Sequence, residues 1–371
     1  MNLTLHTTYN CNLKCRYCFV DHSAARMDKE TAFAAVRFSM QNCTSSGLLF
    51  YGGEPLLERT LIEDTIAYCK EISKDTGHAF HYKITTNGTL LDEAFIQSAK
   101  RWGLKIGFSH DGPAQDICRV FHDGSGSAGN LENTFPLLLT HHPYAIGMSV
   151  MDPSTIHLAY ATVKFLFDKG FRYITQSLNY SREATWTEKH FAILKKEYEK
   201  MASLYIKWTR AEEKFYLSPF DLKIISHIKG KDYIPDRLKH ANNQTAVAPD
   251  GKIYTGPKYV GNPNFEIGDV FMGIDQQKSE KIYKMLDIIP ETCTDCALSE
   301  RCNYVYEGIP AGGDGTIREI SPVQCAHEQL LTPIADYVAE TLYKEKNPMF
   351  MHKHYNKMYP FLSMVEDFTV V

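Results

Sequence analysis

The sequence predicts a parallel α/β sheet, open or closed into a barrel, followed by a smaller cysteine-bearing unit. Three observations predict it. Strand-like and helix-like stretches alternate about six times through the first half of the chain, the pattern of a parallel sheet. The residues with chemical character stand where those strands end, which is where barrel-type active sites are built. The ten cysteines are grouped: Cys11, Cys15 and Cys18 in one set, Cys293, Cys296, Cys302 and Cys325 in another, with Cys43, Cys69 and Cys118 single.

Taken in order, residues 2–8 alternate apolar and polar as a strand does. The first cysteine loop follows, then a helix from Asp28 to Gln41. Strand Leu48–Tyr51 ends at Gly52-Gly53, and a helix over Leu61–Ser73 leads to strand His81–Thr85, which ends at Asn87-Gly88. Helix Asp92–Arg101, strand Lys105–Ser109, a Gly/Ser-rich loop at 123–129 and a further helix come next. Strand Ala145–Val150, helix Thr155–Asp168 and strand Arg172–Leu178 complete the alternation. Thr187–Lys207 reads as one long amphipathic helix. The chain from Ala241 is rich in Gly, Pro, Asn and Asp and ends in the second cysteine group. A helix at Pro333–Lys344 and an aromatic tail (Phe350, Tyr355, Tyr359, Phe361, Phe368) close it. The expected units are 1–209, a bridge at 210–239, a second domain at 240–335 and a tail at 336–371.

Composition sets the class. The 371 residues are 44% hydrophobic and 23% charged, with a net charge of -4. That is an ordinary globular composition with no basic field to recruit nucleic acid. No apolar run approaches the ~18 residues of a membrane span, and the N-terminus lacks a signal peptide's basic and apolar regions. A cytoplasmic, reducing location follows, where ten cysteines point to metal or redox chemistry rather than disulfides. Cys43 and Cys69, in or beside helices, read as buried thiols, and Cys118 as a bystander.

Cys11, Cys15 and Cys18 offer three soft thiolates from one short loop. A cubane [4Fe–4S] cluster takes four, so three leave one iron open for a ligand. On spacing alone a zinc knuckle remains the alternative. The surroundings, Asn10, Asn12, Leu13 and Tyr17, resemble the Cys-Asn-Leu-x-Cys-x-Tyr-Cys pattern of the radical S-adenosylmethionine (SAM) superfamily. Gly52-Gly53-Glu54-Pro55, Thr86-Asn87-Gly88-Thr89 and Ser109-x-Asp111-Gly112-Pro113 resemble the family's motifs at successive strand ends, in order. The resemblance implies a partial (β/α)6 barrel with a [4Fe–4S] cluster on Cys11, Cys15 and Cys18. It also implies SAM held near Tyr17, Gly52, Gly53, Glu54, Asn87 and Ser109. Glu54 would orient the amino group of SAM and Ser109 would face its ribose. The reduced cluster, fed by a flavodoxin- or ferredoxin-type donor, would cleave SAM to a 5′-deoxyadenosyl radical. The stretch Ala114–His122 is shorter than the family's, so no role is carried over to Arg119.

Cys293, Cys296, Cys302 and Cys325 suit a closed tetrathiolate site, zinc or a fully ligated cluster. Val247–Tyr254 and Ile267-Gly268-Asp269-Val270 resemble the hairpin of the SPASM extension found in radical SAM enzymes that modify peptides and proteins. The resemblance makes these four cysteines the ligands of an auxiliary [4Fe–4S] cluster. The second cluster of a complete SPASM domain is expected to be missing: Gly256 and Tyr306 stand where cysteines would, and His240 alone does not replace them. Tyr254, Lys258 and Tyr259 are the substrate-facing candidates. The function implied is maturation of a ribosomally made peptide. The alternatives are an anaerobic sulfatase-type maturase, disfavoured because Gly256-Pro257-Lys258-Tyr259 holds no carboxylate, and a non-catalytic zinc protein. Cys11 lies near the start, which leaves leader recognition to the body or the aromatic tail.

Overall fold

A computed structural model describes residues 1–181, 183–233, 245–286, 290–302 and 321–359. Its strands are β1 (Asn2–Thr8), β2 (Leu13–Cys15), β3 (Ser45–Gly52), β4 (Ala79–Thr86), β5 (Lys105–Ser109), β6 (Arg119–Phe121), β7 (Ile146–Met151), β8 (Tyr173–Leu178), β9 (Tyr216–Ser218), β10 (Thr245–Val247), β11 (Lys252–Tyr254), β12 (Glu266–Asp269) and β13 (Gly273–Ile274). Its helices are α1 (Lys29–Ser39), α2 (Arg59–Thr76), α3 (Glu93–Trp102), α4 (Gln115–Cys118), α5 (Ala128–Leu131), α6 (Thr134–His141), α7 (Ala159–Asp168), α8 (Glu188–Arg210), α9 (Phe220–Lys229), α10 (Gln276–Leu286), α11 (Pro322–Lys344) and α12 (Pro348–Tyr355).

The element boundaries follow local chemistry. Asp28 and Asp92, the expected helix starts, are N-caps: their carboxylates accept from the Thr31 and Phe95 amides at 2.8 and 2.7 Å. Gly77 and Gly103 end α2 and α3 in the left-handed conformation. β1, β3, β4, β5, β7, β8 and β9 run parallel as successive neighbours. This is the predicted parallel α/β sheet, carried one strand further than the sequence suggested, since β9 falls in the stretch expected only to bridge.

Alternation gives the sheet two faces. Leu3, Leu5, Leu48, Phe50, Ile84, Ile106 and Phe108 join the helix residues Val36, Ile62, Ile66, Phe95 and Val163 in one buried core. Thr4, His6, Tyr51, Lys83, Ser109 and Met148 alternate with that face and look to the inner one.

Two elements depart from expectation. The hairpin β10–β11 and strands β12–β13 do not form a separate sheet. β10 pairs parallel with β1, Leu3 opposite Thr245 and Leu5 opposite Val247, and the antiparallel strands extend the sheet from there. The last long helix does not begin at Pro333. It begins at Pro322, continues through Pro333 and carries Cys325 in its first turn. Its buried stripe, Gln324, His327, Glu328, Leu331, Ala335, Val338 and Leu342, packs on α8 and α9. That burial offsets the backbone bond a mid-helix proline forgoes. His240, Tyr306, Phe361 and Phe368 lie outside the described residues.

Candidate functional site: two cysteine groups on one scaffold

β1 delivers the chain to Cys11. The loop beyond it is clamped by a small ladder in which β2 pairs antiparallel with β6, Cys15 opposite Arg119 and Leu13 opposite Phe121. The Arg16 amide donates to the Cys118 carbonyl at 2.9 Å, and the Arg16 guanidinium to Ser154 Oγ at 2.7 Å. Cys118 therefore serves the loop through its backbone, while its thiol is buried beside Thr155.

Cys11 is buried, Cys15 half-buried and Cys18 exposed. The Leu13 amide and Asn87 Nδ2 are aimed at Cys11 Sγ, 3.4 and 3.8 Å away. Burial pushes the Cys11 thiol up to about 12, with Glu54, Cys15 and Cys18 adding to the rise. Burial also raises Cys15, against the pull of Arg119, and Cys18. Thiols so placed give up their protons when a metal takes them. Three such donors on one loop, with amide N–H groups already directed at a sulfur, fit an iron–sulfur cluster.

Gly52 and Gly53 let two chain segments meet. Gly52 has φ +128°, and a Cβ there would lie 2.2 Å from the Thr8 carbonyl oxygen; one on Gly53 would lie 2.1 Å from that of Asn10. The Gly53 and Glu54 amides donate to those same carbonyls at 2.8 and 2.9 Å. The glycines thus press the end of β3 against the entry to the cysteine loop, besides any approach they allow to a ligand.

Glu54 is fully buried. Its carboxylate accepts from Thr86 Oγ1 (2.7 Å), the Asn87 amide (2.8 Å) and the Leu56 amide (3.0 Å). Burial nevertheless raises its pKa to about 7, because the three hydrogen bonds only partly offset desolvation. Asn87 continues the chain of contacts: Nδ2 donates to Asn12 Oδ1 at 2.9 Å, and Asn12 Nδ2 to Thr89 Oγ1 at 2.7 Å. Cys11, Glu54 and Asn87 are thus neighbours at the ends of β1, β3 and β4. Ser109 stands nearly buried at the end of β5.

The third wall is a charged one. Arg119 Nε donates to Asp111 Oδ2 at 3.0 Å, both side chains buried. The guanidinium lies 5.2 Å from the Tyr17 ring centroid, and the Tyr17 hydroxyl donates to the same Asp111 oxygen. Burial opposes the arginine's charge, but Asp111, Tyr17 and Cys15 outweigh it and raise its pKa. Asp111 also accepts from the Val150 amide at 3.0 Å. Arg119 and Asn12 are the members that sequence reasoning passed over. The signal for Arg119 was the short Arg119-Val120-Phe121 run before the Asp123-Gly124 turn, a strand that could pair with the cysteine loop.

Cys293, Cys296, Cys302 and Cys325 line one small pocket with Leu298, Ser299, Glu328 and Gln329. Burial raises the pKa of the Cys325 thiol, and the nearby Cys293, Cys296 and Glu328 add to that rise. Arg301 fixes the loop to the helices, pairing with Asp336 at 2.6 Å and donating to Ser226 Oγ at 3.0 Å. Lys223 pairs with Glu328, both buried, and reaches the Arg301 carbonyl at 3.1 Å. Among the described residues, no three His, Cys, Asp or Glu side chains are grouped as ligands of a single ion.

The substrate-facing candidates divide. Tyr254 is buried on the inner-face register, its hydroxyl hydrogen-bonded to the Gly261 backbone. Tyr259 stacks on Phe265 with centroids 3.9 Å apart, and Lys258 lies over the Tyr259 ring at 4.6 Å. The tyrosine is thus a core residue of the hairpin region. No helix among the described residues is long and apolar enough to cross a membrane.

Residues 5–151 match the family model described as Radical SAM superfamily. An uncharacterized protein of Methanocaldococcus jannaschii, MJ0907, is 31% identical over 180 residues, 48% of this chain and 62% of its own length. The antilisterial bacteriocin subtilosin biosynthesis protein AlbA of Bacillus subtilis is 26% identical over 185 residues, 47% of this chain and 39% of its own. The chain thus spans less than two thirds of either relative. The solved structure of native anSMEcpe with bound AdoMet and Cp18Cys peptide superposes with a TM-score of 0.75 at 19% identity, over 91% of this chain and 98% of that one. The fold is shared along nearly its whole length.

Proposed function

We infer, from the radical SAM domain that residues 5–151 form, that this chain is a radical SAM enzyme that modifies a peptide, in the maturation of a ribosomally made precursor. The observation that carries the reading is the convergence on one loop of Cys11, Cys15 and Cys18 with Glu54–Asn87 on one side and Asp111–Arg119 on the other. When bound, the cluster and SAM supply a radical able to take hydrogen from an unreactive C–H bond.

The chain's own residues do the rest. Cys11, Cys15 and Cys18 would hold the cluster, three thiolates where a cubane takes four ligands. Glu54, with three of its acceptor positions filled, has one left for the SAM ammonium. Gly52 and Gly53 set that carboxylate against the loop, and Asn87, Tyr17 and Ser109 would be the further residues to hold SAM, Ser109 at its ribose. Arg119 balances the negative charge that Cys15 and Asp111 bring to one place. Electrons come from a flavodoxin- or ferredoxin-type donor. Cys293, Cys296, Cys302 and Cys325 hold an auxiliary cluster. Four thiols lining one pocket supply the four ligands that a cubane cluster takes. A peptide is favoured by the shared fold with a structure holding AdoMet and a peptide, and by the likeness to a bacteriocin biosynthesis protein.

The test is anaerobic reconstitution with iron and sulfide, reduction in the presence of SAM, and chromatography for 5′-deoxyadenosine. Co-expression with the short open reading frames beside the gene, read by mass spectrometry, identifies the substrate. A loaded enzyme that releases no 5′-deoxyadenosine overturns the chemistry; peptides that all keep their mass overturn the substrate class.

A further inference from the structure

His6 is a buried polar residue of the inner face that the site described above does not use. It stands on β1 opposite Tyr51 of β3, is 1% exposed, and neither Nδ1 nor Nε2 has a hydrogen-bond partner. Its face is settled by register: Leu3 and Leu5 belong to the core beneath the helices, and Thr4 and His6 alternate with them. Thr4 neighbours Ala246, and Ala246 is opposite Tyr254, so the hairpin tyrosine shares that face.

The ring of His6 packs at 5.3 Å from Tyr51 and 6.1 Å from Tyr9, centroid to centroid. Tyr9 in turn lies within electrostatic reach of Tyr254. Burial lowers the His6 pKa to about 4, so the imidazole is neutral. A neutral imidazole has one N–H donor and one bare acceptor nitrogen. Buried groups of this kind are nearly always paired in native proteins, and an exception calls for an explanation. Other orphaned atoms, Ser149 Oγ and Gln176 Oε1, lie on the helix-facing register of β7 and β8. His6 has both nitrogens unpaired and faces the interior, next to the strand end that carries the cysteine loop.

We propose that His6 is a substrate-positioning residue, its imidazole donating one hydrogen bond to a carbonyl of the peptide and accepting another from a separate N–H of it within the inner face. A peptide backbone presents both kinds of partner, carbonyl oxygens and N–H groups on successive amides. The rings of Tyr9, Tyr51 and Tyr254 give it an amphipathic wall, apolar along the ring and polar at the hydroxyl. The assignment rests on the peptide reading above.

The test uses reconstituted full-length enzyme, SAM, and a synthetic copy of a flanking-gene peptide that the wild type modifies. His6→Phe keeps the ring and removes both polar atoms; His6→Gln keeps a donor and an acceptor. His6→Phe is expected to raise the KM for the peptide at least about tenfold with kcat within about threefold, the signature of lost binding shared by ground and transition states. Iron content and the Kd for SAM stay at wild-type values, and His6→Gln recovers most of the KM. Unchanged KM in His6→Phe overturns the proposal and leaves the imidazole holding a buried water. A matching loss of SAM affinity overturns it in favour of a contact to SAM. If His6→Phe does not load iron, His6→Met carries the same comparison. A wild type that modifies none of the peptides overturns both readings, and is seen before any variant is made.

Discussion

Arg119 and Asp111 are eight residues apart in the chain and meet at 3.0 Å as a buried ion pair, with Tyr17 against both and Cys15 beside the guanidinium. The pair joins the cysteine loop to the end of β5.

Arg119→Met should therefore lower both stability and cluster retention. Removing one partner of a buried pair costs about 3–5 kcal/mol because it strands the other charge. Asp111→Asn in the same chain should recover much of the stability, but not the iron content if the guanidinium also balances the thiolates. Denaturant titration and iron assay on the four proteins of the cycle check this. A single variant as stable as wild type would mean that the pair contributes no net stability.

Glu54 should make the apoprotein's stability fall as pH rises. Its pKa is raised from 4.5 to about 7, so the folded state holds a proton that the unfolded state has released. That contribution is complete below about pH 4.5 and disappears as pH climbs through about 7. Glu54→Gln should flatten this part of the curve, measured by urea unfolding across pH 4–8. The same variant should bind SAM about 10-fold or more weakly, by loss of a charge-assisted hydrogen bond.

Gly53→Ala should disturb the cysteine loop without touching a cysteine. Its Cβ would fall 2.1 Å from the Asn10 carbonyl, and backbone on both sides gives way poorly. Slower iron uptake and a lower final iron content in reconstitution are expected. Gly103→Ala, where nothing lies within 4 Å, is the control for backbone strain alone.

The two cysteine groups should load separately. Reconstituted wild type should hold about 8 irons per chain, and the Cys11→Ala/Cys15→Ala/Cys18→Ala variant about half of that, all at the second group. Zinc in place of iron in the variant would mark the second group as a structural metal site.

The sequence was most readable where residue type and position act over a few neighbours. Asp28 and Asp92 could be read as helix starts because a cap is a local bond, and strand ends at Asn87 and Ser109 because periodicity breaks there. The three-residue strands β2 and β6 were not readable: they are too short to show a period, and each is a strand only because the other is there. Arg119 was missed for the same reason, since its burial depends on that pairing. Pro333 misled in the opposite direction. A proline signals a helix start locally, but the buried stripe from His327 to Leu342 carries the helix through it. The parallel pairing of β1 with β10 left no trace in either segment's own pattern.

That pairing has a consequence for how the protein is made. Leu3 and Leu5 receive their neighbours Thr245 and Val247 only after the whole of the intervening chain has been synthesised. Until then β1 is an edge strand, its row of unpaired amides and carbonyls open to any other strand nearby. The cysteine loop hangs from the far end of that strand. Contacts this distant in sequence form slowly, so the cysteine loop stands beside an open sheet edge until residues 245–247 arrive. A chain cut before residue 245 keeps that edge open.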